Sequence, residues 1–182
     1  MSPGPFAELV LRSARPEETE RVAAAFVPFL QSGDVVLLTG DLGAGKTVFA
    51  QGLARAAGVT QAVTSPTFTL LHSYPTAIGL DLLHADVYRL ETTGEIEDLG
   101  LAELVEDDAF ALVEWGERAA GALGPDHVFV TLTAPAISDG PGPSLRRIAV
   151  RPAGRSWDER WADLRAALLG AAPALRSREV PA

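Results

Sequence analysis

The stretch Gly40–Thr47 reads GDLGAGKT and fits the pattern G-x-x-x-x-G-K-[ST]. Each residue type has a physical use there. Gly40 and Gly45 let the backbone turn where a Cβ would obstruct it. The backbone N–H groups of Asp41, Leu42, Gly43, Ala44, Gly45, Lys46 and Thr47 can then converge on an anion at a helix N-terminus. The Lys46 ammonium reaches terminal phosphates, and the Thr47 hydroxyl can ligate a magnesium ion. The alternative is a tight turn that happens to carry Lys-Thr. The context argues against it: DVVLLT, residues 34–39, reads as a buried strand before the loop, and residues 46–57 read as a helix after it.

A phosphate loop that hydrolyses its nucleotide needs a carboxylate at the end of a neighbouring strand. Two segments supply one. LLHAD ends at Asp86 and FALVE ends at Glu114. Sequence spacing does not choose between them, although Trp115 beside Glu114 sets a large apolar group against a charge. Arg89, close after Asp86, reads as an ordinary partner of Glu91 or Asp86. A third segment, TSPTFT, brings Thr64, Ser65 and Thr67 together. A hydroxyl-bearing loop at this place can close over a γ-phosphate and its metal; it can equally be a strand-entry turn. The N-K-x-D signature of guanine-specific switch proteins does not occur, which favours ATP.

These groups must be positioned by surrounding elements. Residues 6–11 read as a strand and 13–32 as a helix that Pro28 kinks or ends early. Further strands are expected at 70–74, 82–88, 110–113, 127–134 and 145–150, with PTAIGLD as a turn before the second of these. Residues 94–107 read as short acidic helical pieces. SDGPGPS, residues 138–144, reads as an exposed loop. Trp157, Trp161, Leu164 and Leu168 recur at helical spacing, so residues 156–169 read as an amphipathic helix capped by Ser156 with Glu159. This divides the chain into a main domain over 1–152, a helical extension over 153–170 and a frayed tail over 171–182.

Composition bounds the rest. The 182 residues suit one domain with a small appendage, and 47% hydrophobic residues suffice for a proper core. With no cysteine, a disulfide framework, a zinc–thiolate site and a catalytic thiol are excluded. No apolar run approaches the ~18–20 residues of a membrane span, and MSPGPFAELV lacks a signal-peptide layout. The expectation is a cytoplasmic protein with no membrane contact. The net charge of −9 works against direct nucleic-acid binding, which rests largely on Lys and Arg contacts to phosphate.

GDLGAGKT, TSPTFTL, HADVYRL, EDLGL and LVEWGER, in this order and spacing, resemble the TsaE (YjeE) family. Its members are small P-loop ATPases of the bacterial threonylcarbamoyladenosine tRNA-modification machinery. The resemblance spans roughly residues 6–151. It implies an α/β fold, a P-loop NTPase-like three-layer sandwich whose mixed, mostly parallel sheet carries helices on both faces. It further implies ATP and Mg2+ as cofactors and TsaB and TsaD as partners, with tRNA reached only through them. By the same resemblance Thr47 and Glu114 are magnesium ligands, and Asp86 is the strand-end aspartate. TSPTFT is a switch-like loop, Ser13 and Thr19 lie near the adenine, and Arg147 contacts nucleotide. Lys46, Asp86 and Glu114 form the implied catalytic set. Val48 stands where the family commonly has a second threonine. Gly116 stands where relatives often have proline, and is expected only to loosen that turn. Two other readings compete: a P-loop kinase, for which Arg146, Arg147 and Arg151 are too few and scattered to form a lid, and a nucleotide-gated interaction module docking through ETTGEIEDLGLAELVEDD.

Overall fold

Alternation along three strands explains both the layers and the site. In β2 (Val35–Thr39), Val36 and Leu38 face one core while Val35 and Leu37 face another. In β5 (Ala109–Glu114), Phe110 and Leu112 join the first core, and Ala109, Ala111 and Val113 the second. In β4 (Asp81–Asp86), Leu82 belongs to the first core, and Leu83 and Ala85 to the second. A strand buried on both faces reads as a continuous apolar run, as β2 and β5 do up to their ends, while His84 interrupts the run in β4. With a side-chain period of two, His84, Asp86 and Glu114 continue the first face.

The computed structural model describes residues 8–134 and 145–173. Its remaining strands are β1 (Leu9–Ser13), β3 (Leu71–Tyr74), β6 (His127–Thr133) and β7 (Arg146–Ala153). They form one seven-stranded sheet in the order β1-β7-β6-β2-β5-β4-β3. The central strands β6, β2, β5 and β4 are mutually parallel. The β1–β7, β6–β7 and β3–β4 pairs are antiparallel. Helices α1 (Pro16–Ala24), α2 (Lys46–Ala56) and α5 (Arg155–Ala171) contribute to the first core. The short α3 (Thr93–Glu97) and α4 (Leu101–Leu104) send Ile96 and Leu101 into the second. The result is the mixed sheet between helices that the resemblance implies, with three parallel and three antiparallel strand pairings.

Several local expectations change. The early helix does end early, as expected, but already at Ala24, and Pro28 sits in a separate 3-10 turn, Val27–Phe29. Strand β4 stops at Asp86, before Tyr88, and β7 runs on to Ala153. Ser156 does not cap α5. The cap position is Gly154, and the Ser156 N–H inside the first turn donates to Asp126 Oδ1 at 3.1 Å. Residues 171–173 are held rather than frayed: Ala172 is buried, and the Arg12 N–H donates to the Pro173 carbonyl at 3.0 Å. The expected strand start at residues 6 and 7, the loop at 138–144 and the tail beyond 173 lie outside the described residues.

Helix α5 is fastened to the sheet by more than its apolar face. Trp157, Leu164 and Leu168 are fully buried in the first core. Arg160 grips both oxygens of buried Asp34, each at 2.7 Å, just before β2 begins.

Candidate functional site

The site lies at the carboxyl ends of β2, β4 and β5, where ligands gather in open α/β sheets. Parallel pairing sets Leu38 beside Glu114 and Glu114 beside Asp86. The glycine-rich loop leaves β2 and enters α2 at Lys46. Gly40 has φ +127°, and a Cβ there would strike the Leu132 carbonyl oxygen at 2.1 Å. Gly45 has φ +109°, and its Cβ would meet Arg146 Nε at 3.0 Å. Both positions therefore demand glycine, for conformation and for space. The first intrahelical bond is Phe49 N–H to the Gly45 carbonyl at 3.0 Å. The preceding first-turn N–H groups have no intrahelical acceptor.

Lys46 is almost wholly buried, and Nζ donates to the carbonyls of Gly40 at 2.6 Å and Asp41 at 3.0 Å. Nζ also lies 3.9 Å from the centroid of the Trp115 ring. Burial holds its pKa below the ordinary lysine value, and the nearby carboxylates of Glu114, Glu117, Asp86 and Asp41 oppose that shift. Trp115 adopts φ +62°, a conformation that costs a non-glycine residue about 1–3 kcal/mol. The turn is closed by Gly116, whose N–H donates to the Leu38 carbonyl at 2.9 Å. A Cβ on Gly116 would lie 2.8 Å from Leu37 Cα. Gly116 thus does more than loosen the turn: it allows close backbone approach to β2 and supplies a donor that proline lacks.

Thr47 Oγ1 donates towards Glu114, 3.3 Å from Oε1 and 3.4 Å from Oε2. Glu114 Oε1 also lies 3.0 Å from His84 Nε2. Asp86 serves a different group. Its Oδ2 accepts from Ser65 Oγ at 2.8 Å and Thr67 Oγ1 at 2.6 Å, and its Oδ1 accepts from the Tyr88 N–H at 2.9 Å. A cleft of about 450 Å³ collects Lys46, Thr47, Glu114, Asp86, Ser65 and Thr67, with Leu42, Gly43, Gly45, Tyr88, Trp115 and Arg146 around them. Chemically this is an anion cradle beside a hydroxyl–carboxylate pair, the hard oxygen donors that suit magnesium.

Other candidates fall elsewhere. Asp41 is exposed on the loop, and the Ala44 side chain is buried in the first core. Thr64 is exposed and lines a separate groove with Gln51 and Arg55. Ser13 and Thr19 are buried and bonded to each other at 2.8 Å, so their hydroxyls are reached through a neighbour. That neighbour is Arg146, which donates to Thr19 Oγ1 at 3.4 Å and lines the cleft. Arg147 does not line it: adjacent strand residues point to opposite faces, and its neighbour takes the inward position. Arg89 stacks on the exposed Phe68 ring at 4.3 Å rather than pairing with Glu91 or Asp86.

His84 has no counterpart in the sequence reading, and Arg146 enters it only as one of three arginines too scattered to form a kinase lid. His84 was legible as the residue two before Asp86 on a strand, hence on its face. Arg146 depended on strand phase, which the adjacent Arg-Arg pair conceals.

Loop, sheet and cleft together define a P-loop NTPase-like α/β protein. The family model described as "Threonylcarbamoyl adenosine biosynthesis protein TsaE" matches residues 13–139. A Bacillus subtilis protein named tRNA threonylcarbamoyladenosine biosynthesis protein TsaE is 47% identical over 125 residues, covering 69% of this chain and 77% of that protein. Its namesake in Treponema pallidum is 42% identical over 131 residues, covering 72% and 93%. The crystal structure of Bacillus subtilis YdiB superposes with a TM-score of 0.73 at 30% identity, covering 90% of this chain and 98% of that one. This chain belongs to the TsaE family.

Proposed function

We propose that this chain is a magnesium-dependent ATP-binding and ATP-hydrolysing subunit required for threonylcarbamoyl modification of adenosine 37 in ANN-decoding tRNAs, acting with TsaB and TsaD in the cytoplasm. The observation that carries the reading is the convergence of Lys46, Thr47 and Glu114 in one cleft beside a loop whose Gly40 and Gly45 leave no room for a side chain. The names of the relatives supply the process. No helix among the described residues is long and apolar enough to cross a membrane.

In this reading the first-turn N–H groups of α2 and the Lys46 ammonium bind and orient the phosphates. Thr47 and Glu114 hold magnesium, which when bound neutralises charge developing on the transferred phosphoryl group. Asp86 is engaged by three donors, so Glu114 is the freer carboxylate for the metal. Among the described residues no three of His, Asp and Glu form a metal cage. That suits magnesium, which is usually held by one or two protein groups together with substrate phosphates. Ser65 and Thr67 give their hydrogens to Asp86, which leaves their oxygen lone pairs as acceptors for the O–H of an attacking water. Arg146, against Gly45, adds positive charge to the cleft lining.

Exposed Leu42 and Tyr88 on the cleft, with exposed Phe68 next to Thr67, favour a second and compatible role. The same site can act as a nucleotide-gated docking surface.

The test uses two variants. Lys46→Ala abolishes nucleotide binding; retained turnover in it contradicts the assignment. Glu114→Ala binds nucleotide but hydrolyses it poorly; wild-type turnover there moves the metal role to Asp86.

A further inference from the structure

His84 has no place in the scheme above, yet it is completely buried and directed at the site's carboxylate. It sits inside β4, in register with Leu112 of β5 on one side and His72 of β3 on the other. Glu114 lies two residues beyond Leu112, so ring and carboxylate meet diagonally across neighbouring strands. The contact is His84 Nε2 to Glu114 Oε1 at 3.0 Å, with both side chains almost fully removed from solvent. A carboxylate offers acceptors only, so Nε2 carries the hydrogen and donates it. His84 Nδ1 is buried with no hydrogen-bond partner among the described residues. A buried polar nitrogen without a partner costs free energy that a leucine at this point of the core would avoid.

We infer that His84 is a positioning residue: it pins Oε1 of Glu114 by one Nε2–H bond, which leaves Oε2 as the metal-binding oxygen. The inference rests on the reading of Glu114 as a magnesium ligand. Its physical basis is that a ligating carboxylate with an unsupported oxygen rotates among orientations, whereas a fixed donor on one oxygen selects the orientation of the other. The Thr47 contacts, at 3.3 and 3.4 Å, are too long to do this alone.

Two variants separate positioning from packing. In His84→Gln the amide nitrogen can reach the place of Nε2; in His84→Asn it reaches only the place of Nδ1 and cannot touch Glu114. Binding of ATP is measured by titration calorimetry across a magnesium series and again with the metal chelated, and melting temperature is followed in parallel. His84→Asn is expected to need on the order of 10- to 100-fold more magnesium for half-maximal enhancement of ATP binding, with metal-free affinity unchanged. His84→Gln is expected to stay within a few-fold of wild type. Equal magnesium dependence in His84→Asn and wild type overturns the inference. So does an equal loss in both variants, which indicates packing alone. Glu114→Ala is run alongside: if it too keeps wild-type magnesium dependence, the metal role of Glu114 falls and the inference falls with it. If Glu114→Ala loses that dependence while His84→Asn keeps it, only the inference fails.

Discussion

The ring of Trp115 lies under the ammonium of Lys46, 3.9 Å from Nζ to its centroid, and so joins the phosphate loop to the residue after the site's carboxylate. The strand-end turn that carries Glu114 thereby also supports the lysine. Replacing Trp115 with Leu removes the cation–π contact, and ATP affinity is expected to fall by about 1–2 kcal/mol, roughly 5- to 30-fold. Trp115→Phe is expected to retain most of it. Titration calorimetry on the two variants checks this; equal losses would mean that bulk, not the π face, holds the lysine.

The hydroxyl loop is tied to Asp86 through Ser65 and Thr67. Bonds to a charged acceptor are worth about 1.5–3 kcal/mol each. The double variant Ser65→Ala/Thr67→Val is expected to raise amide exchange across residues 64–69 by at least ~10-fold while leaving β4 protected. Turnover should fall with it. Unchanged exchange would show that Pro66 and packing, rather than Asp86, hold the loop.

His127 opens β6 and is mostly buried, with Nδ1 3.1 Å from the Gly124 carbonyl and its ring edge-on to Phe129. Burial pushes its pKa below the ordinary 6.5, and the Gly124 bond only partly offsets this. The unfolded chain therefore takes up a proton at a higher pH than the folded one. Stability from this group is complete above pH 6.5 and is lost as pH falls through 6.5 towards the lower folded value. Urea midpoints measured between about pH 7.5 and pH 5 should fall less steeply in His127→Phe than in wild type.

Arg160 and Asp34 form a nearly buried two-pronged pair between α5 and the start of β2. Arg160→Ala strands the Asp34 charge and is expected to cost about 3–5 kcal/mol. Chemical denaturation checks it; a loss under about 1 kcal/mol would put the pair among weak surface bridges.

The central strands β2 and β5 are legible in the sequence because they are buried on both faces and read as apolar runs, and β4 because LLHA is broken only by His84. The phosphate loop was legible because its glycines and Lys46-Thr47 sit between such a strand and a helix. What it hid depends on phase and register. Adjacent Arg146 and Arg147 look alike in a string, and only pairing with β1 and β6 decides which turns inward. The pairing of Asp86 with the hydroxyl loop arises from β3 lying beside β4, and that of Glu114 with Thr47 from β2 lying beside β5, neighbourhoods that no spacing encodes. The cap of α5 was misplaced because Ser156 fits a capping pattern locally, while β7 continues until the helix begins at Arg155.

In the proposed function the loop at Gly40 drives a partner-dependent ATPase. The most direct measurement is ATP hydrolysis by wild type and by Lys46→Ala, each alone and each with TsaB, TsaD and tRNA. Strong stimulation of the wild type by the partners, with no turnover by Lys46→Ala in either setting, is the predicted result. Equal wild-type turnover with and without them, or stimulated turnover that survives Lys46→Ala, would contradict it.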